Sequence, residues 1–200
     1  MYGGKSGGDM SYDDFFNTGI GKEILEKEAE YVAENIEGTA ASIGCGTGII
    51  EERIMEIGRM EIIGIDVDDE MLYFARKRID VIKADSSLIP LKDSSVDGVI
   101  FITSLEFMDD YRKSIEEAER ILKRNGRIVA IILNTSSSYF KSMYQKKGYL
   151  WKNIKHINVG KIEEYLMEKF DIKKKPLFGI EDGKFVKDGD AVYGFSGLIR

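Results

Sequence analysis

Apolar and polar positions follow two alternating periods along this chain, and the alternation predicts a regular succession of strands and helices. Five short apolar runs have the length and composition of β-strands: 39–43, 61–65, 79–84, 96–102 and 127–133. Four stretches with apolar residues at helical spacing fall around them: 21–36, 49–57, 69–78 and 111–123. Such a repeated order predicts an α/β fold with a parallel sheet and right-handed crossovers.

The last third of the chain is less regular. Residues 134–158 are polar and aromatic without a clear period, which predicts an irregular segment. A helix is then expected at 162–170, and strands at 172–178 and 191–199. The intervening stretch 183–189 predicts a hairpin connection, and Asn125-Gly126 predicts the end of the helix at 111–123.

Composition restricts the class of protein. The length of 200 residues predicts one domain, and a 43% hydrophobic share excludes wholesale disorder. Lys and Arg number 29 against 35 Asp and Glu, so the net charge of −6 disfavours a general nucleic-acid binder. With one cysteine (Cys45) and one histidine (His156), disulfide scaffolds and cysteine- or histidine-rich metal sites are excluded. The first ten residues predict a flexible tail rather than a signal peptide, and no apolar run could span a membrane, so a cytoplasmic protein is expected.

A glycine-rich turn follows the first predicted strand and precedes a helix. Gly44, Gly46 and Gly48 occupy alternate positions in it. Glycine permits positive φ and lets a ligand approach the backbone closely, and ligands of α/β sheets bind at the carboxyl ends of the strands. The dinucleotide pattern G-x-G-x-x-G would need a third glycine where Ile49 stands, so an NAD site is disfavoured.

Acidic residues follow the next two predicted strands. Asp66 ends the second strand, where a carboxylate can accept hydrogen bonds from both hydroxyls of a ribose. The other interpretation makes Asp66 a helix cap, a role for which Asp68 is also suited. Asp85 and Ser86 follow the third strand, within the segment 84–97.

These segments together resemble the class I S-adenosylmethionine (SAM) methyltransferases, and in particular small prokaryotic members of the methyltransferase type 11 family. The turn at 44–48 is similar to motif I, which is G-x-G-x-G. The segment 84–97 is similar to D-x-x-x-L-P-F-x-D-x-S-F-D, and 120–127 is similar to the R-V-L-K-P-G-G turn before strand five. The resemblance runs from about Tyr12 to Leu133, and its motifs keep the family's order.

One position departs from the family pattern. The family usually carries an acidic residue two positions before the first glycine, where this chain has Ser42. In the family that residue helps to order the loop around the amino group of the cofactor.

The resemblance implies a Rossmann-like fold: a central seven-stranded, mostly parallel sheet with an antiparallel last strand and helices on both faces. Residues 1–200 would form a single domain, with 1–20 as flexible tail and N-terminal lid and 134–160 as substrate cap. The implied cofactor is SAM. The expected cofactor-binding residues are Gly44, Cys45, Gly46, Gly48, Asp66, Val67, Met71, Asp85, Ser86, Thr103 and Tyr12.

Most of these residues receive a role from the resemblance. Asp85 would accept a hydrogen bond from the adenine amino group, and the backbone N–H of Ser86 would donate to a ring nitrogen. Val67 and Met71 would lie against adenine, although plain core packing explains them equally well. Thr103 lies where the methyl-bearing sulfonium is expected. Tyr12 belongs either to a lid over the cofactor or to an aromatic anchor of the first helix.

Catalytic and substrate residues are less constrained by the sequence. Methyl transfer needs a base only when the acceptor atom holds a proton at neutral pH. Glu106, after the fourth strand, and His156 are the candidate bases; Glu106 could equally begin a helix, and a lone histidine is more often structural. The aromatic segment 134–158, with its lysines, predicts an aromatic-walled pocket for a small acceptor, with an anionic acceptor as one option. Tyr144 and Trp151 are the candidate substrate contacts.

Several methyltransferase classes are disfavoured. The segment Thr103–Glu106 stands where DNA amino-methylating enzymes carry D/N-P-P-Y/F, and Cys45 lacks the preceding proline of cytosine-C5 enzymes. One thiol does not suffice for arsenic methylation. The sequence therefore predicts a SAM-dependent methyltransferase with a small-molecule acceptor, as a monomer or a homodimer. The alternatives are a non-catalytic SAM-binding subunit, an RNA or protein methyltransferase, and an NAD dehydrogenase.

Overall fold

The computed structural model describes residues 12–200, in which strands and helices alternate along the chain. The strands are β1 (Gly38–Ile43), β2 (Met60–Asp66), β3 (Asp80–Lys83), β4 (Val96–Ile102), β5 (Leu122–Leu133), β6 (Phe170–Glu181), β7 (Lys184–Val186) and β8 (Val192–Ile199). The helices are α1 (Tyr12–Phe16), α2 (Gly19–Ala33), α3 (Ile49–Ile57), α4 (Asp69–Ala75), α5 (Tyr111–Ile121), α6 (Ser138–Gln145), α7 (Tyr149–Asn153) and α8 (Gly160–Lys169). A 3₁₀ turn at Leu105–Phe107 follows β4.

The strands form one sheet in the order β3-β2-β1-β4-β5-β8-β6-β7. The pairs among β1 to β5 are parallel, and β8 is antiparallel to both β5 and β6. The prediction of a mostly parallel sheet with an antiparallel last strand is therefore confirmed. In the described chain no helix is long and apolar enough to cross a membrane.

The sheet has eight strands where seven were predicted. The extra strand is β7, which pairs with the end of β6 inside the expected connection 183–189. Asp182 and Gly183 both have positive φ (47° and 73°), and this two-residue turn folds the chain straight back onto β6. A turn of that geometry matches the twist of two antiparallel strands, so the connection begins as a hairpin with paired strands.

Several other predicted bounds differ from the structure: α2 was predicted at 21–36, α4 at 69–78 and β6 at 172–178. Helix α5 ends at Ile121 rather than at Asn125-Gly126, because the buried Leu122 leaves helical geometry and pairs with Val96 of β4. Asn125-Gly126 lies within β5, next to a register shift in that pairing. The irregular segment 134–158 also contains α6 and α7, which are too short to show a helical period.

Apolar layers cover both faces of the sheet. Side chains of β4 alternate between them: Ile100 packs with helices α2 and α3, whereas Val99 and Phe101 pack with α5 and α8. This alternation is why β4 is apolar at nearly every position, as expected for a strand buried on both sides. The strand order reverses between β1 and β4, so the crevice at their carboxyl ends is where a ligand site is expected.

Candidate active site

A cavity of about 360 Å³ opens at the carboxyl ends of β1, β2 and β4, which is within the size range of small-ligand sites. Many of the residues predicted to bind the cofactor line it: Tyr12, Gly44, Gly46, Asp66, Val67, Met71, Asp85, Ser86 and Thr103. The sequence therefore located the cavity correctly, at the switch point of the sheet.

The glycine turn shapes one wall of this cavity. Gly44 and Gly46 both have positive φ (78° and 56°), and the backbone N–H of Gly44 donates to the carbonyl of Ile65 at 2.7 Å. A Cβ on Gly44 would lie 2.7 Å from the Cβ of Ser104, so no side chain fits there. A Cβ on Gly46 would meet nothing within 4 Å, because that glycine faces open space. Gly46 thus leaves room for a ligand against the backbone.

Asp66 is held rigidly at the edge of the cavity. Its Oδ2 accepts a hydrogen bond from the backbone N–H of Gly46 at 2.8 Å, and its Oδ1 accepts one from the N–H of Asp68 at 3.0 Å. Asp68 itself caps α4 by accepting from Glu70 N–H at 2.8 Å, as predicted. A carboxylate has about four acceptor positions, so Asp66 can still receive two hydroxyl groups.

Asp85 and Ser86 form the opposite wall with their neighbours. Asp85 Oδ1 accepts hydrogen bonds from the hydroxyl and the backbone N–H of Ser87, at 2.7 and 2.8 Å. These two bonds hold the pKa of Asp85 below its ordinary value, so the group stays an acceptor at neutral pH. The Ser86 hydroxyl accepts from Ser114 of α5 at 2.7 Å, which fixes this turn to the body of the fold.

A carboxylate lies beside Ser42, the position where the family motif usually carries an acid. The Ser42 hydroxyl donates to Oε1 of Glu51 at 2.7 Å, and both residues are buried. Burial raises the pKa of Glu51 to about 7, while the bond from Ser42 opposes that rise. The sequence analysis missed Glu51, although its place in the first turn of the helix after the glycines was a signal.

Helix α1 is fastened to the glycine turn. The Asp13 carboxylate accepts from the Thr47 hydroxyl at 2.7 Å and from the Arg78 guanidinium at 2.9 Å. Through these contacts Tyr12, the neighbour of Asp13, is kept in the cavity wall. Of the expected lid and tail at 1–20, only residues 12–20 belong to the described part of the chain.

Two of the predicted cofactor residues do not line the cavity. Cys45 is buried beneath it, with its Sγ 2.7 Å from where a Cβ on Gly64 would lie, and burial raises the pKa of this thiol. Gly48 begins α3 in the left-handed region and contacts Ile79 instead. Both residues support the glycine turn without facing the cavity.

The predicted substrate contacts and one candidate base do not line the cavity either. Tyr144 stacks on Phe140, with ring centroids 5.7 Å apart, and Trp151 is half exposed on α7. His156 Nε2 is 2.9 Å from the carbonyl oxygen of Met108, and its ring packs edge-on against Tyr111. Tyr144 lies on α6 and Trp151 on α7, and neither helix brings its ring into the cavity wall.

Glu106, the other candidate base, is fully buried behind the cavity wall rather than in it. Its Oε1 accepts from the backbone N–H of Leu133 at 2.7 Å, which ties the turn after β4 to the end of β5. Its Oε2 has no hydrogen-bond partner within residues 12–200. Burial raises the pKa of Glu106 to about 7.

Several cavity residues were not singled out by sequence reasoning. They are Phe107, Met108, Asp109, Asp110, Tyr149 and Lys155. Phe107 and Tyr149 face each other with ring centroids 6.2 Å apart, and Lys155 forms an ion pair with Asp109. Tyr149 belongs to the aromatic segment that the sequence predicts to form the acceptor pocket. Which ring of that segment faces the cavity depends on the residue at which α7 begins.

The doubly wound sheet, the glycine turn at its switch point and the carboxylates after β2 and β3 define the class: a SAM-dependent methyltransferase. The model of a methyltransferase domain family (type 11) matches residues 41–130, and the chain belongs to this family. Its cofactor is SAM. The site residues fit that group, because Gly46 leaves open space beside the fixed carboxylate of Asp66.

The chain is similar to an uncharacterized protein, to a curated methyltransferase and to a solved methyltransferase structure. An uncharacterized protein of Methanocaldococcus jannaschii is 34% identical over 163 residues, which cover 78% of this chain and 75% of that protein. A demethylmenaquinone methyltransferase of Thermotoga maritima is 25% identical over 197 residues, covering 85% and 86%. A solved SAM-dependent methyltransferase of Thermotoga maritima, described as a possible histamine N-methyltransferase, superposes with a TM-score of 0.78 at 25% identity, covering 94% and 95%.

Proposed function

We propose that this enzyme transfers the methyl group of SAM to a small-molecule acceptor. The observation that carries the proposal is the aromatic wall made by Tyr12, Phe107 and Tyr149, which come from three separate elements and meet at the cavity. Aromatic rings of this kind enclose a small organic molecule and exclude water, which favours an aligned transfer.

The charge of the cavity argues against a polynucleotide. Five aspartates line it, against one lysine that is itself paired with one of them: Asp66, Asp68, Asp85, Asp109 and Asp110, with Lys155. A protein that binds RNA or DNA neutralises phosphates with Lys and Arg near the strand. An acidic rim would repel that backbone and favours a small acceptor.

The cofactor contacts follow from the geometry. Asp66 would receive the two ribose hydroxyls, and Oδ2 of Asp85 would accept from the adenine amino group. The Ser86 N–H would donate to an adenine nitrogen, with Val67 and Met71 against the ring. Bound SAM supplies an activated methyl group on a sulfonium, and Thr103 lies at the end of β4 on that side.

Glu51 is part of the same proposal: its carboxylate replaces the acid that the family motif carries at the position of Ser42. We expect Glu51→Ala to weaken SAM binding about tenfold, the effect of one lost charge-assisted hydrogen bond of about 1.4 kcal/mol. Adding Ser42→Asp to Glu51→Ala should recover most of that affinity, because the acid returns to the motif position. Calorimetry measures the SAM affinity of both variants. A double variant that binds SAM no more tightly than Glu51→Ala would contradict the proposal that Glu51 replaces the motif acid.

The acceptor class is tested by following S-adenosylhomocysteine release with a panel of acceptors. The panel contains small amines including histamine, quinols, carboxylic acids, total RNA and denatured protein. We expect turnover above background with at least one small molecule and none with RNA or protein. Turnover confined to the macromolecules would overturn the proposal, and SAM binding without any turnover would favour a non-catalytic subunit.

A further inference from the structure

Thr103, directly after β4, has an unfavourable backbone conformation. Its φ is 43°, in the left-handed region that a β-branched residue rarely adopts. Three other non-glycine residues of the described chain have a positive φ, and they lie in turns that do not line the cavity: Ser94, Lys147 and Asp182. Thr103 is the β-branched member of the four and the one that lines the cavity. Such strain persists where the surrounding structure imposes it, and it concentrates at functional sites.

The two neighbouring strands hold Thr103 in this conformation. The backbone N–H of Thr103 donates to the carbonyl of Ile131 in β5 at 2.8 Å. The hydroxyl of the next residue, Ser104, donates to the carbonyl of Ile43 in β1, also at 2.8 Å. The chain is therefore anchored on both sides of β4 at the point where φ is positive. Because a β-branched side chain also has few χ1 rotamers, the Thr103 hydroxyl has a well-defined position.

The hydroxyl of Thr103 differs from the other aliphatic hydroxyls that line the cavity. Those of Ser86, Ser87 and Ser104 each form a hydrogen bond of 2.7 or 2.8 Å within the protein. The half-buried Thr103 hydroxyl forms none with any residue of the described range 12–200. A hydroxyl group has one donor and two acceptor positions, so Thr103 keeps all of them for a ligand.

The sheet order groups Thr103 with the acceptor wall. The residues proposed to hold the cofactor follow β1, β2 and β3, whereas Thr103 follows β4, on the other side of β1. The 3₁₀ turn that begins two residues later carries Phe107, one ring of the aromatic wall. Thr103 therefore belongs with the acceptor wall, although the family resemblance groups it with the cofactor residues.

The charges of the cavity indicate which kind of acceptor atom Thr103 can bind. Asp85, Asp109 and Asp110 line the cavity, and its lysine, Lys155, is already paired with Asp109. A carboxylate acceptor would meet charges of its own sign there. A neutral nitrogen or oxygen that carries a hydrogen can instead donate to Thr103 Oγ1 and keep a lone pair for the methyl group.

We propose that the Thr103 hydroxyl binds the nucleophilic atom of the methyl acceptor by accepting a hydrogen bond from its N–H or O–H group. The acceptor is then a neutral amine or hydroxyl compound rather than a carboxylate. This inference rests on the proposed function and narrows it. A hydroxyl held in place by the strands on both sides orients the acceptor atom, and such alignment lowers the barrier of a transfer reaction.

The experiment titrates the full chain, saturated with S-adenosylhomocysteine, with small aromatic probes at pH 7. Aniline and phenol carry the hydrogen that Thr103 would bind, and N,N-dimethylaniline and anisole are the matched compounds without it. Benzoate is the anionic probe. We expect aniline or phenol to bind about fivefold more tightly than its methylated counterpart, the effect of one neutral hydrogen bond, and benzoate to bind more weakly than both. Isothermal calorimetry measures each affinity.

Matched variants assign the effect to the hydroxyl and to the strain separately. Thr103→Val keeps the branched shape and should abolish the preference for aniline or phenol, while the affinity for S-adenosylhomocysteine stays unchanged. Thr103→Ser retains the hydroxyl and should retain the preference. Thr103→Gly should lose the preference but raise the urea midpoint, because glycine adopts a positive φ without strain. The control is Ser94→Gly, at an exposed turn outside the cavity, which should raise the midpoint less and leave the preference intact.

Four results would overturn the inference. Aniline and phenol that bind no better than their methylated counterparts, or not at all, exclude a hydrogen-bonding site for the acceptor atom. A preference that persists in Thr103→Val places that site elsewhere. A loss of S-adenosylhomocysteine affinity in Thr103→Val assigns the hydroxyl to the cofactor, and a lower urea midpoint in Thr103→Gly removes the strain. Failure of the proposed function is separate: there the unmodified chain would not release S-adenosylhomocysteine with any small acceptor, whatever the probe affinities.

Discussion

Asp66→Ala is expected to weaken SAM binding at least 30-fold, or about 2 kcal/mol. The change removes the proposed acceptor of two ribose hydroxyls, and a hydrogen bond to a charged group contributes about 1.5–3 kcal/mol. It also frees the backbone N–H of Gly46, which Asp66 fixes at 2.8 Å, so the glycine turn loses its preformed shape. Isothermal calorimetry with SAM measures the loss directly.

The matched control is Asp69→Ala, three residues further along the chain. Asp69 is 68% exposed in an ion pair with Lys83 and does not line the cavity, so its removal should leave SAM affinity within twofold. Equal SAM affinities for Asp66→Ala and the unmodified chain would remove Asp66 from the binding site. A similar loss in both variants would point to a general weakening of this loop.

The free energy of unfolding is expected to fall by several kcal/mol as the pH rises from 5 to 8. Burial raises the pKa of Glu28 to about 8 and those of Glu51 and Glu106 to about 7. In the unfolded chain such groups lose their protons near pH 4.5, so the folded state binds more protons through this window. Stability is therefore greatest at the acidic end and levels off above about pH 8.

Other carboxylates do not mask this effect. Asp85, Asp97 and Glu117 have pKa values lowered by their hydrogen bonds, so their stabilising contribution is lost only as the pH falls below about 4. Glu28→Gln should flatten the slope between pH 5 and 8, whereas Glu23→Gln, at an exposed position of the same helix α2, should keep it. Urea unfolding across this pH range measures the free energy of unfolding of both variants. A free energy of unfolding that increases towards pH 8 would contradict the raised pKa values of the buried glutamates.

The parallel half of the fold could be predicted because its signals are local. Strand β4 and helix α3 have the predicted bounds, since a run of apolar residues or a helical stripe bounded by glycines specifies each of them. The Asp68 cap needed only its position before a helix. The cavity followed as well, because carboxyl ends of parallel strands meet at one edge of the sheet.

The burial of Glu28 and Glu51 could not be predicted in the same way. Glu28 and Glu51 stand in helices rich in glutamate, where one more acidic residue normally faces solvent, and only the packing of α2 against α3 buries them. The inward turn of Tyr149 rather than Tyr144 or Trp151 depends on two helices too short to have a period. The hairpin connection after β6 was predicted, but its paired strand β7 was not, although Asp182-Gly183 is a recognisable local turn signal.

The central claim is that Gly44, Gly46 and Asp66 form a SAM site at the switch point of the sheet. Calorimetric titration of the purified protein with SAM, S-adenosylhomocysteine and NAD tests it most directly. We expect affinities on the order of micromolar for SAM and its product and none for NAD, because the third glycine of the dinucleotide pattern is absent. Binding of NAD, or no binding of either adenosyl ligand, would contradict the account.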